Sequence, residues 1–199
     1  MLQPLYIVLE IVVGLQASAD YRFADSTISD LGNTACRVIR GDTLCSPWHS
    51  VMNVGFVYFG CSLAIGALLL GSRILPGRAG AAAVLLWCTS GLGSVGVGLI
   101  PVNEQGGLHG LVALPVFLAQ PAALLMTGVS LRAARRRFAK TTVAVAAISA
   151  AGVAGFFALV LVDGSAGLGG WERLALWPGY AWVSVIAITN LRTVRAAHR

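Results

Sequence analysis

Seven polar residues able to carry chemistry recur in one kind of place. Asp30, His49, Asn53, Glu104, His109, Glu172 and Arg173 each stand at, or just before, the start of an apolar stretch. Carboxyls and imidazoles gathered at one level can donate and accept protons, which is general acid/base work. His49 and Asn53 are four apart and share a helix face. Glu172 and Arg173 are adjacent, which on a helix turns them about 100° apart and gives each its own partners. A second set lies deeper: Glu10, Tyr58 and Gln120 fall near the middle of their stretches. An ionised carboxylate at a membrane midplane costs at least ~2.5 kcal/mol on insertion scales. Glu10 is therefore expected to be protonated, and so a usable proton donor or interhelical glue, or to be bonded to a partner such as Gln120 or Tyr58. Residues of these types are also ordinary at headgroup depth, so an interfacial reading stands beside the catalytic one.

The elements that hold these residues follow from composition. Of 199 residues 57% are hydrophobic and 11% charged, against ~25% charged in an average soluble domain. Mean hydropathy is +0.79. So little charge cannot cover a water-facing surface, which excludes a soluble enzyme, a nucleic-acid binder and a disordered chain. A bilayer core ~30 Å thick needs ~20 apolar residues per helix. Six stretches approach that length, at about residues 3–19, 50–72, 79–101, 109–131, 141–163 and 173–191. The fold class is all-α: one integral membrane bundle of six transmembrane helices over residues 1–199, with no linker long enough to divide it. The first stretch lacks a basic n-region and a clean cleavage site, so it reads as a retained helix and not as a signal peptide.

Charge fixes the expected orientation. With the N-terminus inside, Arg73, Arg78, Arg132, Arg135, Arg136, Arg137, Lys140, Arg192, Arg195 and Arg199 are cytoplasmic. Only Arg22, Arg37, Arg40 and Arg173 are outside. Asp20, Asp25, Asp30, Asp42, Glu104, Asp163 and Glu172 make the same division from the other side. Both termini are thus expected in the cytoplasm, and the net charge of +6 is a topology signal that also meets anionic headgroups. Cys36 and Cys45 share the long first outer loop, where an oxidising exterior lets them pair. Cys61 and Cys88 lie within spans as small apolar side chains.

Smaller features concern packing. Ser90, Ser94 and Gly98, and likewise Ala147, Ala151 and Gly155, recur at four-residue spacing and suit close helix approach. Pro115 and Pro121 flank Gln120, predicting a kink or local opening. Trp48, Trp171 and Trp177 have the placement of an interfacial belt. The run DSTISDLGN predicts a short helix in the first outer loop, with Asp25 or Ser26 as N-cap and Gly32 as its stop. Its Ile28 and Leu31 would rest on the membrane or cap the bundle.

Four segments carry a resemblance: DSTISDLG (25–32), CSPWHSVMN (45–53), GLIPVNEQGGLHG (98–110) and GWERLALWP (170–178). In that order, each at an outer helix end, they resemble a bacterial six-helix membrane family catalogued as domain-of-unknown-function family 998. The resemblance implies the six-helix fold, a multi-pass protein of the bacterial inner membrane, and recurring polar positions at Ser29, Asp30, His49, Asn53, Pro101, His109, Glu172 and Arg173. It implies no activity.

Three functions are expected to compete. The first is a membrane-embedded acid/base enzyme acting on a lipid or isoprenoid in a cavity near the outer leaflet, for example a protonation-initiated terpene cyclase. Glu10, Asp30, His49, Glu104, His109 and Glu172 are its candidate catalytic groups. Asn53, Tyr58, Trp87, Gln120 and Arg173 are candidate substrate contacts, with Phe56, Tyr58, Trp87 and Trp182 offering faces to a carbocation. The second is a zinc hydrolase using His49, His109 and a carboxylate such as Asp30, though no H-E-x-x-H is present. The third is a non-enzymatic transporter or envelope-complex partner using Glu10 at midplane, though no inverted repeat is visible. No Walker loop, dinucleotide fingerprint, G-x-S-x-G or haem motif occurs, so no cofactor is expected. The expected partners are a lipid or isoprenoid molecule and membrane lipids, not nucleic acid.

Overall fold

The computed structural model describes residues 2–39 and 42–197. Arg40 and Arg199, two of the basic residues that set the expected orientation, lie outside the described residues, as do the side chains of Arg192 and Arg195. The chain begins with α1 (Gln3–Leu15), whose Pro4 sits in the first turn, where a missing N–H costs nothing. α2 (His49–Gly66) runs on through a π-helical turn at Ala67–Gly71 into Ser72–Ile74. Then follow α3 (Gly77–Leu99), α4 (Gly106–Leu131), α5 (Arg136–Leu161) and α6 (Leu168–Ala197). From α2 onward each helix packs on the next, and α1 closes the bundle by lying against both α2 and α6.

Four helices, over His49–Gly71, Gly77–Leu99, Gly106–Leu131 and Arg136–Leu161, are long and apolar enough to cross a membrane. Their outward faces are apolar, opposite to a water-soluble fold: on α3, Leu85, Leu92 and Leu99 follow at seven-residue spacing and are each about two-thirds exposed. This is a multi-pass membrane protein. α1 is shorter than the stretch 3–19 suggests: its 13 residues span about 20 Å at 1.5 Å per residue, short of the ~30 Å core. α6 has 30 residues and extends past its apolar stretch at both ends.

The small-residue stripe of α3 packs as expected. Ser94 Oγ donates to the Phe56 carbonyl of α2 at 2.9 Å, and Ser90 is fully buried. On α5 the stripe is displaced: Ala147 and Ala151 are exposed, and Thr142, Ala146, Ser149, Gly152 and Val153 face inward. Gly152 lies against the backbone of Ala175 so closely that no Cβ fits, and Ser149 Oγ donates to the Ala175 carbonyl. A spacing of four in a run rich in Ala and Gly identifies a stripe without saying which stripe is buried. α4 passes through Pro115 and Pro121 as one unbroken helix, with no local opening.

The first loop differs from its expected form. DSTISDLG makes a single 3-10 turn, Ser29–Gly32, and neither Asp25 nor Ser26 caps it. Both are engaged elsewhere: Ser26 Oγ accepts the Arg22 N–H, and Asp25 accepts from Gly167. Asp30 organises the turn instead, its Oδ2 accepting from the Thr27 N–H at 2.9 Å and the Thr27 hydroxyl at 2.7 Å. Ile28 and Leu31 are buried and cap the bundle. An antiparallel hairpin follows, β1 (Arg37–Ile39) with β2 (Asp42–Leu44), pairing Arg37 with Leu44. The Cys36–Cys45 disulfide closes its base, as the loop position predicts.

That bridge closes a ring of about ten residues, for which chain entropy gives roughly 2–3 kcal/mol. The double change Cys36→Ser/Cys45→Ser should lower the thermal midpoint in detergent, and a reductant should lower the wild type to the same value while leaving the variant unmoved.

Candidate functional site

Arg173 is the most densely bonded side chain at the loop end of the bundle. Its Nε donates to Glu10 Oε1 at 2.9 Å, and its second terminal nitrogen reaches the same oxygen at 2.9 Å. Trp177, one turn further along α6, donates its ring N–H to Glu10 Oε2 at 2.7 Å. The remaining donors of Arg173 hold the loop: one terminal nitrogen contacts the carbonyls of Phe23, Ser26 and Gly169, and the other donates to the Tyr21 hydroxyl at 2.6 Å. The Phe23 ring lies 5.1 Å from the guanidinium carbon. Gly169 has no room for a Cβ, which would strike the Ser26 carbonyl, so glycine is what admits the loop to this cation.

Two anchors of the loop lie outside the spans. Burial pushes the Tyr21 hydroxyl well above the usual phenol range, and the Arg173 charge only partly opposes this. Tyr21 therefore stays a neutral phenol that accepts from Arg173 and donates to the Thr27 carbonyl. The Asp25 carboxyl is held below its ordinary range, first by the Gly167 N–H at 2.8 Å and then by Arg22 at 3.0 Å.

Glu172 points a third of a turn away from Arg173 and is also buried. Its Oε2 accepts the Ile28 N–H at 2.6 Å, which fixes the backbone immediately before Ser29. His109, 5% exposed, holds Nδ1 at 2.6 Å from the Ile100 carbonyl and Nε2 at 3.0 Å from Ser29 Oγ. A carbonyl only accepts, so Nδ1 carries a proton, and in the neutral imidazole the Nε2 lone pair then faces the serine hydroxyl. Ser29, His109 and Glu172 line one cavity of about 240 Å³. Apart from Thr27 at the rim, its remaining wall is apolar and includes a mutually packed trio, Phe117, Phe156 and Phe157. Leu114 and Val160, also lining it, are well exposed on the outside of the bundle, so the cavity opens sideways towards lipid.

The other expected site residues do different work. Asn53 donates to the Gly32 carbonyl at 2.9 Å and ties α2 to the 3-10 turn, and Glu104 Oε1 accepts from the Thr34 hydroxyl at 2.9 Å on the exposed side of the loop. Asp30 holds its own turn, and His49 Nδ1 sits 3.0 Å from the Ser46 carbonyl at the start of α2. Gln120 donates to the carbonyls of Ala175 and Leu176, bracing α6 and not Glu10. Tyr58 is 55% exposed on the outside of α2, so neither residue is the partner of Glu10: Arg173 and Trp177 are. Trp177 is thus not a belt residue, while Trp48 and Trp171 are exposed as a belt requires. Trp87 and Trp182 bond the hydroxyls of Thr127 and Thr142. Among the described residues no group of three His, Cys, Asp or Glu could hold a metal. Both ring nitrogens of His109 face a partner already, so the zinc set of His49, His109 and Asp30 is not assembled. The pairing of Ser29 with His109 is absent from the sequence reading, although Ser29 stands in the DSTISDLG segment.

The family model described as a protein of unknown function, DUF998, matches residues 3–189. The chain belongs to that family. No curated protein and no solved structure matches it. The DUF998 match runs from α1 through most of α6, so it takes in Glu10, the 3-10 turn, His109 and the Glu172–Arg173 pair together.

Two predictions follow from the anchors of this DUF998 chain. Breaking a buried ion pair by removing one partner costs about 3–5 kcal/mol, so Arg173→Ala and Glu10→Ala should each lower the thermal midpoint sharply. Combining Glu10→Leu with Arg173→Leu should cost less than the sum of the single changes, because no unpaired charge remains. The depressed Asp25 carboxyl adds stability that is complete above its unfolded pKa of about 3.9 and is lost as pH falls through the lower folded value. Asp25→Asn should therefore flatten the decline in thermal midpoint on acidification below about pH 4.

Proposed function

We propose that this chain is a membrane-embedded enzyme that performs acid/base chemistry on a lipid or isoprenoid drawn from the outer leaflet of a bacterial cytoplasmic membrane. The proposed topology has six crossings and both termini in the cytoplasm, with α1 the shortest crossing. It is supported by the basic residues at the α2–α3 and α4–α5 turns and by the acidic, disulfide-closed loop at the other end. The bacterial setting is what the resemblance implies.

The observation that carries the reading is one cavity combining an apolar wall open to lipid with His109, Ser29 and Glu172 at its loop end. Lipid-binding cavities are mostly apolar with few convergent polar groups. His109 supplies a neutral imidazole whose acceptor nitrogen, Nε2, meets the Ser29 hydroxyl at the cavity wall, and so acts as the base. Glu172 supplies a carboxyl able to pass a proton to a bound substrate. The acids elsewhere are committed: both oxygens of Glu10 are bonded and the residue has no exposure, which leaves the transport reading without its carboxyl.

A second chemistry, protonation-initiated cyclisation, is favoured by the aromatic trio that lines the same cavity as Glu172. The faces it would use are Phe117, Phe156 and Phe157. Phe56 lines only a small side chamber of about 20 Å³, and Tyr58, Trp87 and Trp182 do not line the cavity.

Purified protein in nanodiscs, incubated with a total envelope lipid extract and followed by mass spectrometry, should convert at least one lipid. His109→Gln should slow that conversion about 10²- to 10⁴-fold, the usual worth of a positioned general base. Glu172→Gln should impair it comparably, and Tyr58→Phe should not. Conversion that is insensitive to both His109→Gln and Glu172→Gln would sink the reading.

A further inference from the structure

We propose that Ser29 is a nucleophile activated by His109, and that the reaction is acyl transfer from an ester of an amphiphilic lipid. The proposal rests on the acid/base reading above and narrows it to one reaction class. Its basis is the direction of the bonds around one imidazole. Ile100 holds the protonated Nδ1 by its carbonyl, and Nε2 receives the Ser29 hydroxyl at 3.0 Å. Nucleophile, base and a third group orienting the base form the arrangement that activates a serine, here with a carbonyl in the place of a carboxylate. The serine is fixed from both sides. Glu172 holds the preceding Ile28 N–H, and Asp30 pins Thr27 through two bonds. In this narrower reaction Glu172 and Asp30 are positioning residues, and His109 alone carries the proton.

The surroundings point to an amphiphile. The lateral cavity shares Thr27 and Val102 with a polar groove of about 530 Å³ on the outside of the loop. Arg22, Asp25, Asp30 and Arg37 line that groove, whereas the cavity side is apolar and aromatic. A molecule seated across the shared rim has its polar head in the groove, its chain among Phe117, Phe156 and Phe157, and the bond between them beside Ser29. In most glycerolipids the bond at that boundary is an ester.

Ser29 Oγ attacks the ester carbonyl carbon while its proton passes to His109 Nε2, and the carbonyl electron pair moves to oxygen. Collapse of that adduct breaks the bond to the alcohol oxygen, which takes the proton from Nε2, leaving the acyl group on Ser29. Water, or the hydroxyl of a second lipid, then attacks the acyl carbon with His109 again as base. Ser29 recovers its proton, and an acid or a new ester leaves. No electrons are exchanged with any oxidant.

The test uses the full chain in nanodiscs with a long-chain alkyl fluorophosphonate, followed by intact and peptide mass spectrometry. The wild type should gain one adduct, located on Ser29. Ser29→Ala should abolish it at unchanged thermal midpoint, and His109→Gln should slow labelling about 10²-fold or more. Ser29→Cys should transfer reactivity to an alkylating thiol reagent. p-Nitrophenyl esters should be cleaved faster as the acyl chain lengthens, which separates a lipid substrate from a short free ester. If the wild type converts envelope lipid but takes no adduct on Ser29, or if Ser29→Ala keeps its turnover, the nucleophile assignment falls and the acid/base reading stands. If neither labelling nor conversion occurs, both fall together.

Discussion

The loop end of this bundle depends on one buried cation. Arg173 is almost entirely buried, so its donors must find protein acceptors. It finds Glu10 on α1, three carbonyls, two in the loop and one on its own helix, and the Tyr21 hydroxyl. α1 is short and makes limited contact with its neighbours, so packing alone gives it little reason to take one position. The ion pair supplies that reason, because Glu10 without Arg173 would be an unpaired charge in an apolar interior. The same cation draws residues 21–26 down onto the bundle, which delivers the 3-10 turn to the mouth of the cavity. Position here is set by charge, and packing fills in behind it.

The adjacency of Glu172 and Arg173 gives two jobs to one turn of α6. A third of a turn separates their directions, so Arg173 faces α1 while Glu172 faces the cavity and the Ile28 N–H. The loop is thereby held twice by α6, from residues 21–26 through the arginine and at residue 28 through the glutamate. Between Glu172 and Asp30 lies Ser29, whose backbone has little freedom left. A serine that must meet an imidazole 80 positions away needs that restraint, since a mobile loop would seldom present the hydroxyl within bonding distance.

Sequence alone made the membrane setting, the number of helices and the disulfide legible, because each rests on local composition. Apolar runs, flanking charges and two cysteines in one loop need no knowledge of partners. The gathering of His109, Glu172 and Arg173 at one level was legible in outline for the same reason, since helix ends share a depth, whereas Ser29 entered only through the family resemblance. Which of them touch was not. Depth alone leaves Glu10 either protonated or bonded to a neighbour such as Gln120 or Tyr58, yet helix rotation turns Tyr58 outward and gives Gln120 to α6 backbone carbonyls. The stripe on α5 failed similarly: in an Ala- and Gly-rich helix several faces look alike, and only the contact with Ala175 selects one. The β-hairpin was hidden because three-residue strands carry too little alternation to read.

The lateral position of the cavity bears on which chemistry suits it. A site opened to water at its polar rim and to lipid at its apolar wall is well placed for a bond that lies at that boundary in the substrate. It is less suited to a carbocation, which must be kept from water until it is quenched. The aromatic trio is common to both uses, since it serves equally as a surface for an alkyl chain. What distinguishes them is the hydroxyl of Ser29 directed at a neutral imidazole on the cavity wall, for which cyclisation has no role and acyl transfer has a direct one. On that ground the proposed acyl transfer rests on the paired serine and histidine more than on the acids that first draw attention in the sequence.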